Sequence, residues 1–345
     1  MASQNNRDSR FELLRMLAMV LIITHHLLLY SPQAHSLMQS SVLINRYLEI
    51  YFSIPGKAGV ALFVMLSGYY LAKFNWRFSK LTNLWKPVIV YSLVFTGLQF
   101  ATHGLPVNWQ NILAGFFPIL TNKWWFITSF AGLLIVSQPL RQAFEQITRL
   151  QRLLWFSGIN LCISILIYGQ LIPANGELLK LVGIALMGWS IHDYTDVFLR
   201  YATRTLMLCG IILAGLVSWC IISPNFIKGT HLGWPFQPTP VVSMTSSVFA
   251  ILLFIICIVG IKPFQNTFIN KVGGMTLAVY LIHDSDFMRE HMWKLLPTKL
   301  LYNSPWFVGY VIVLAFCIFV VCTLIELFRL QLTQFITTKW RRRHG

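Results

Sequence analysis

Residues 11–30 read FELLRMLAMVLIITHHLLLY, a run the length of one bilayer-spanning helix. It nevertheless carries Glu12, Arg15, His25 and His26. An ionisable side chain costs roughly 2.5–3.5 kcal/mol at mid-membrane and marks a functional site by default. Eleven positions separate Arg15 from His26, and eleven steps of about 100° return to within roughly 20° of the starting direction, about 16 Å further along the axis. The two therefore share a face, whereas His25 is rotated about 100° away. Glu12 stands three residues before Arg15, the order and spacing at which a carboxylate pairs with a following cation near a helix start. One helix thus offers a cation near one membrane surface and an imidazole well inside, facing one expected cavity.

Working outward, the 345 residues are 56% hydrophobic and 14% aromatic but only 11% charged, and mean hydropathy is +0.63. Too little polar surface is present to clothe a soluble domain of this size, so the expected class is all-α and polytopic. Ten runs are long enough to span, at 12–31, 57–73, 87–102, 124–140, 153–172, 177–193, 205–223, 241–261, 273–290 and 305–327. The first is too long for a signal h-region and lacks a small-residue cleavage site, so it is expected to stay as a helix. Ten spans place both termini on one side. Most of the 27 Lys and Arg residues behind the net charge of +16 fall on that side, which the positive-inside rule makes cytoplasmic. The charge is therefore a topology signal and implies no nucleic acid. The six cysteines lie in apolar runs without CxxC spacing and read as packing residues, with neither a disulfide framework nor a metal site. No inverted repeat or soluble domain stands out, and residues 1–345 read as one membrane domain.

Further groups carry chemical potential. The second run, GVALFVMLSGYYLAK, holds Gly59, Ser67 and Gly68, which let helices approach closely; Ser67 is also a candidate ligand contact. After it, KFNWRFSKLTNLWK sets Lys73, Arg77, Lys80 and Lys86 beside aromatics, suited either to a phosphate-bearing ligand or to lipid headgroups. The fourth run opens LTNKWWFITSF, with Lys123, Trp124 and Trp125 at an expected interface. The tryptophans 109, 124, 125, 234, 293 and 306 read foremost as an aromatic belt. The ninth run, GGMTLAVYLIHDSDFMRE, carries Tyr280, His283, Asp284 and Asp286, groups that need either partners or a solvated vestibule.

Glu12, Arg15 and His26, then LFVMLSGYYL at 62–71, the basic pair Arg77 and Lys80, KWWFI at 123–127 and AVYLIH at 278–283 follow in order. Together they resemble acyltransferase family 3, the integral membrane acyltransferases of the cell-surface polysaccharide O-acyltransferase type. The resemblance implies a ten-helix, multi-pass cell-membrane enzyme that draws an acyl group, acetyl foremost, from cytoplasmic acyl-coenzyme A. The group would be delivered to a hydroxyl of a cell-surface or exported glycan. Acyl-coenzyme A is then a donor substrate, and no tightly bound cofactor is expected. By the same resemblance His26 takes the essential histidine, Arg15 its partner arginine with Glu12 orienting it, and Arg77 with Lys80 the basic pair. The acyl-coenzyme A contacts would be Arg15, Arg77, Lys80 and Lys73. Ser67, Trp125, Tyr280 and His283 are candidate acceptor or oxyanion contacts. Glu12 stands where Asp is more usual and Lys80 where Arg is more usual. No esterase-like domain follows the tenth run, so the acceptor would be acylated directly or through a separate partner; a homo-oligomer is also open. His26 could act as general base or as an acylated nucleophile. The competing class is transport, a glycan exporter or flippase without acyl transfer, and a third is a membrane sensor.

Overall fold

The computed structural model describes residues 7–30, 40–42, 45, 48–72, 78–168, 177–227, 244–295 and 301–344. Among them the chain is helical, with no strand. In order the helices are α1 (Ser9–Tyr30), α2 (Leu48–Leu71), α3 (Phe78–Ala101), α4 (Trp109–Phe116), α5 (Trp125–Phe144), α6 (Arg149–Tyr168) and α7 (Glu177–Asp193). They continue with α8 (Thr195–Arg200), α9 (Ala202–Ile227), α10 (Met244–Gly260), α11 (Thr267–Gly273), α12 (Thr276–His283), α13 (Asp286–Leu295) and α14 (Phe307–His344). Within the described residues the apolar runs fall largely on helices, but the ninth is not continuous: it is shared between α12 and α13, with α11 just before it.

Among the described residues, four helices are long and apolar enough to cross a bilayer, Ser9–Tyr30, Ile54–Leu71, Leu81–Ala101 and Phe307–Lys339. Apolar side chains also stand outward on the surface: Leu154, Trp155 and Leu161 on α6, Met207 and Ile211 on α9, and Val313, Phe316, Leu324 and Phe328 on α14 are exposed. Faces of that kind are stable against lipid and costly against water, and the chain is a membrane protein.

α1 lies between two apolar cores. Its second half, through Met19, Ile23, Leu27 and Leu28, packs with Tyr91 and Phe95 of α3, Val279 and Leu281 of α12, and Val311, Ala315 and Phe319 of α14. Its first half, through Phe11, Leu14 and Ala18, packs with Ala58, Leu62 and Met65 of α2, Ala185 of α7, and Phe254 and Ile258 of α10. A helix buried on opposite sides must be apolar nearly all round, which is why its few polar residues stand out.

The start of α1 is fixed by local chemistry. Asp8 accepts from the backbone N–H of Arg10 at 3.1 Å, an N-cap contact that satisfies one of the free amides of the first turn. Ser9 donates to Asn270 Oδ1 at 2.7 Å and accepts from the amide of Asn266 at 2.8 Å. The Arg10 guanidinium donates to the carbonyls of Ile258 and Ile261 at 2.9 and 3.0 Å, covering carbonyls that the end of α10 leaves free. α1 is thereby pinned to the segment leading into α11.

The expected close approach of α2 is present. A Cβ at Gly59 would lie 2.5 Å from the Ala18 carbonyl oxygen, and one at Gly68 would lie 1.8 Å from that of Ala185. The contact is reciprocated on α7, where a Cβ at Gly188 would lie 2.0 Å from the Met65 oxygen. Only glycine lets these backbones touch.

Candidate active site

Along α1 the residues 15, 19, 22, 26 and 30 recur at helical spacing and form one stripe. Its lower part lines a cavity of ≈ 190 Å³, whose wall includes Arg15, Met19 and Ile22 of α1, Phe63 and Ser67 of α2, Phe126 and Phe130 of α5, and Tyr280 of α12. Arg15 thus faces a cavity, as its position predicts. His26 is not in that wall. Tyr280, buried and packed edge-on to Phe126 at 5.6 Å and to His283 at 6.0 Å, belongs to that wall and touches the histidine pair beyond it, so among the described residues this cavity reaches Arg15 and not His26.

At the cavity's other end Glu12 accepts from Arg15 Nη1 at 2.7 Å, the predicted pair, and also lies 3.5 Å from Arg7 Nη1. The carboxylate fits because residue 273 is glycine: a Cβ there would lie 2.6 Å from Glu12 Cβ and Oε2.

Above Tyr280 the stripe reaches His26, whose Nδ1 lies 3.2 Å from His283 Nε2 and 3.3 Å from Asp284 Oδ1. His283 Nδ1 in turn lies 2.6 Å from the Val279 carbonyl. A carbonyl can only accept, so this contact assigns the His283 proton to Nδ1 and leaves a lone pair on Nε2. His26 must then carry its proton on Nδ1 to donate to that lone pair. The consequence is that His26 Nε2, on the opposite edge of the ring, is unprotonated and free to accept a proton. Asp284, only 1% exposed in its side chain, is held by Arg289 through Nε at 3.0 Å and Nη2 at 2.7 Å, while its Oδ2 and the Tyr280 hydroxyl are buried without a hydrogen-bonding partner among the described residues. Four rings close a cycle here: His26 to His283 at 5.3 Å, His283 to Trp293 at 6.4 Å, Trp293 to Tyr30 at 6.2 Å, and Tyr30 to His26 at 5.3 Å. Arg289 lies over Tyr30, 5.0 Å from its centroid.

The arrangement can orient one imidazole tautomer and stabilise the imidazolium formed on protonation, the part a buried carboxylate plays beside a histidine base. Asp284, Arg289 and Trp293 were not assigned to a site from sequence. The signal for the first was the adjacent His283 and Asp284 in an apolar run, and burial of both excludes a solvated vestibule for them; Asp286 alone of that group is exposed. The belt reading fits Trp109 and Trp306, which are exposed, and is corrected for Trp124 and Trp293, which are buried at 2% and 0%.

The remaining predicted residues scatter. Ser67 lines the cavity and donates to the Phe63 carbonyl at 3.1 Å. Trp125 packs edge-on to Phe126 at 5.8 Å and is not in the cavity wall. Lys123 donates to Thr96 Oγ1 at 2.6 Å, tying the start of α5 to α3, and burial pulls its ammonium below the ordinary lysine value. Lys73, Arg77 and the side chain of Lys80 lie outside the described residues.

Among the described residues, then, the molecule is an all-helical membrane protein with a buried imidazole beside a second histidine and a carboxylate. The family model of the acyltransferase domain matches residues 8–326, and the chain belongs to that family, acyltransferase family 3; it is a membrane acyltransferase. No curated protein and no solved structure matched the chain.

Proposed function

We propose that the protein is a multi-pass cell-membrane O-acyltransferase with ten spans and cytoplasmic termini. It moves an acyl group, acetyl in the simplest case, from acyl-coenzyme A to a hydroxyl of a cell-surface or exported glycan. The observation that carries this reading is the position of His26, with Nδ1 engaged by His283 and Asp284 and Nε2 left as the base, one helical stripe above the cavity that Arg15 lines.

In this reading the donor's phosphates stay at the Arg15 end, with Arg77, Lys80 and Lys73 available from the segment after α2, and its thioester arm enters the cavity. Tyr280 has to turn aside for the thioester to reach His26. His26 Nε2 then takes the proton of the acceptor hydroxyl as its oxygen attacks the thioester carbon. The carbon–sulfur bond breaks, and the imidazolium returns the proton to the departing thiolate, giving the ester and free coenzyme A. Asp284 stabilises the imidazolium. Once turned, the Tyr280 hydroxyl would donate to the oxyanion.

The test is release of free thiol from acetyl-coenzyme A by the purified protein in proteoliposomes, with glycan acceptor present. Replacing His26 with Ala should lower acceptor-dependent release by about 10²–10⁴-fold. Unchanged release together with failed glycan export would sink the transferase reading in favour of transport.

A further inference from the structure

The mouth of the cavity holds a group that no motif points to. Arg7 precedes α1, lines the cavity together with Arg15, and shares with it a single carboxylate, that of Glu12. The geometry points to Arg7 as the second cation of a phosphate seat for the acyl donor, an inference that rests on the transfer reading above.

The charge balance comes first. Two guanidiniums meet one carboxylate, and the adjacent Asp8 is spent on Arg10, with Nη2 to Oδ2 at 2.7 Å, so one positive charge is left over at the mouth. Residues 1–6, MASQNN, contain no acid to cancel it.

Exposure and geometry agree. The side chains of Arg7 and Arg15 are 42% and 27% exposed, while Glu12 is at 4%. Glu12 is thus the buried pivot, and the arginines are the parts that a ligand can touch. Arg15 uses Nη1 on Glu12, which leaves the rest of its fork for phosphate oxygens, the geometry guanidinium satisfies with two parallel bonds. Among the described residues the Arg7 side chain is held by a 3.5 Å ion contact, loose enough to swing onto a second phosphate.

The opposite lip of the mouth is bare main chain. Gly273 and Gly274 line it where α11 ends, and a Cβ at Gly274 would lie 3.8 Å from Arg7 Nη1. Beyond this mouth the wall is almost wholly apolar, so a polyanion is stopped there while the thin arm of a thioester passes on.

The test compares acetyl-coenzyme A with acetyl-pantetheine, which has the same thioester but no phosphates. Arg7→Gln should raise KM for acetyl-coenzyme A about tenfold, leave KM for acetyl-pantetheine unchanged, and be partly rescued by Arg7→Lys. An equal effect on both donors, or none on acetyl-coenzyme A, overturns the assignment. A second measurement needs no turnover: coenzyme A binding to the His26→Ala protein, with and without Arg7→Gln. Binding that weakens about tenfold supports the seat even if wild-type protein releases no thiol, in which case the transfer reading alone falls. Binding indifferent to Arg7 overturns the seat.

Discussion

At the scale of single residues the central fact is a proton assignment. The Val279 carbonyl dictates which nitrogen of His283 is protonated, His283 dictates the same for His26, and the free lone pair ends on His26 Nε2. Asp284→Asn would keep the shape but offer an amide where the imidazolium needs a carboxylate. Acceptor-dependent thiol release is expected to fall about 10²–10⁴-fold while KM for the donor stays within about twofold. A variant with full activity would show that Asp284 serves only its bond to Arg289. Half of this centre was readable in advance. Arg15 and His26 follow from helical periodicity, which is local. The pairing of His26 with residues 257 and 258 positions away is tertiary, and sequence could say only that His283 and Asp284, set in an apolar run, needs an explanation.

Among elements, the ninth run departs most from its expected form. Hydropathy alone joins 273–290 into one span, but Gly273 and Gly274 end α11, and Ser285, accepting from the amide of Met288 at 3.3 Å, starts α13 afresh in the manner of an N-cap. The break is what puts His283 at the last position of α12 and Asp284 in the turn beyond it. Both signals were present in the residues, and the continuous apolar pattern outweighed them. The α2–α7 crossing, by contrast, was half visible, because Gly68 could be flagged while its partner Gly188 could not. Gly188→Ala would force a methyl to within 2.0 Å of the Met65 oxygen, so the helices must part. The expected cost is about 1–3 kcal/mol, read as a lowered melting midpoint in detergent, with activity lost in parallel. A melting midpoint equal to wild type would mean that the crossing is looser than these distances state.

For the whole molecule, the all-helical membrane class was legible because apolar helices are written in long stretches of composition. The roles of the tryptophans were not, since Trp109 and Trp293 look alike until packing exposes one and buries the other. Topology remains the property on which charge speaks most clearly. On the proposed ten-span arrangement with cytoplasmic termini, a protease site placed after Gly345 should be cut only from the cytoplasmic face of sealed vesicles of known orientation. Cutting from the other face would remove the ten-span arrangement, and with it the assignment of Arg15 to the donor side.

One earlier detail reaches further than its size. α1 meets the α11–α12 segment along much of its length, with Glu12 against Gly273 towards one end and His26 against His283 towards the other. The same pair of rods therefore carries the entrance and the chemistry, like two rungs on one ladder. A ligand that levered Glu12 off the glycine would move the strut whose upper rung sets the base, and loading at the mouth would then be felt mechanically at the imidazole.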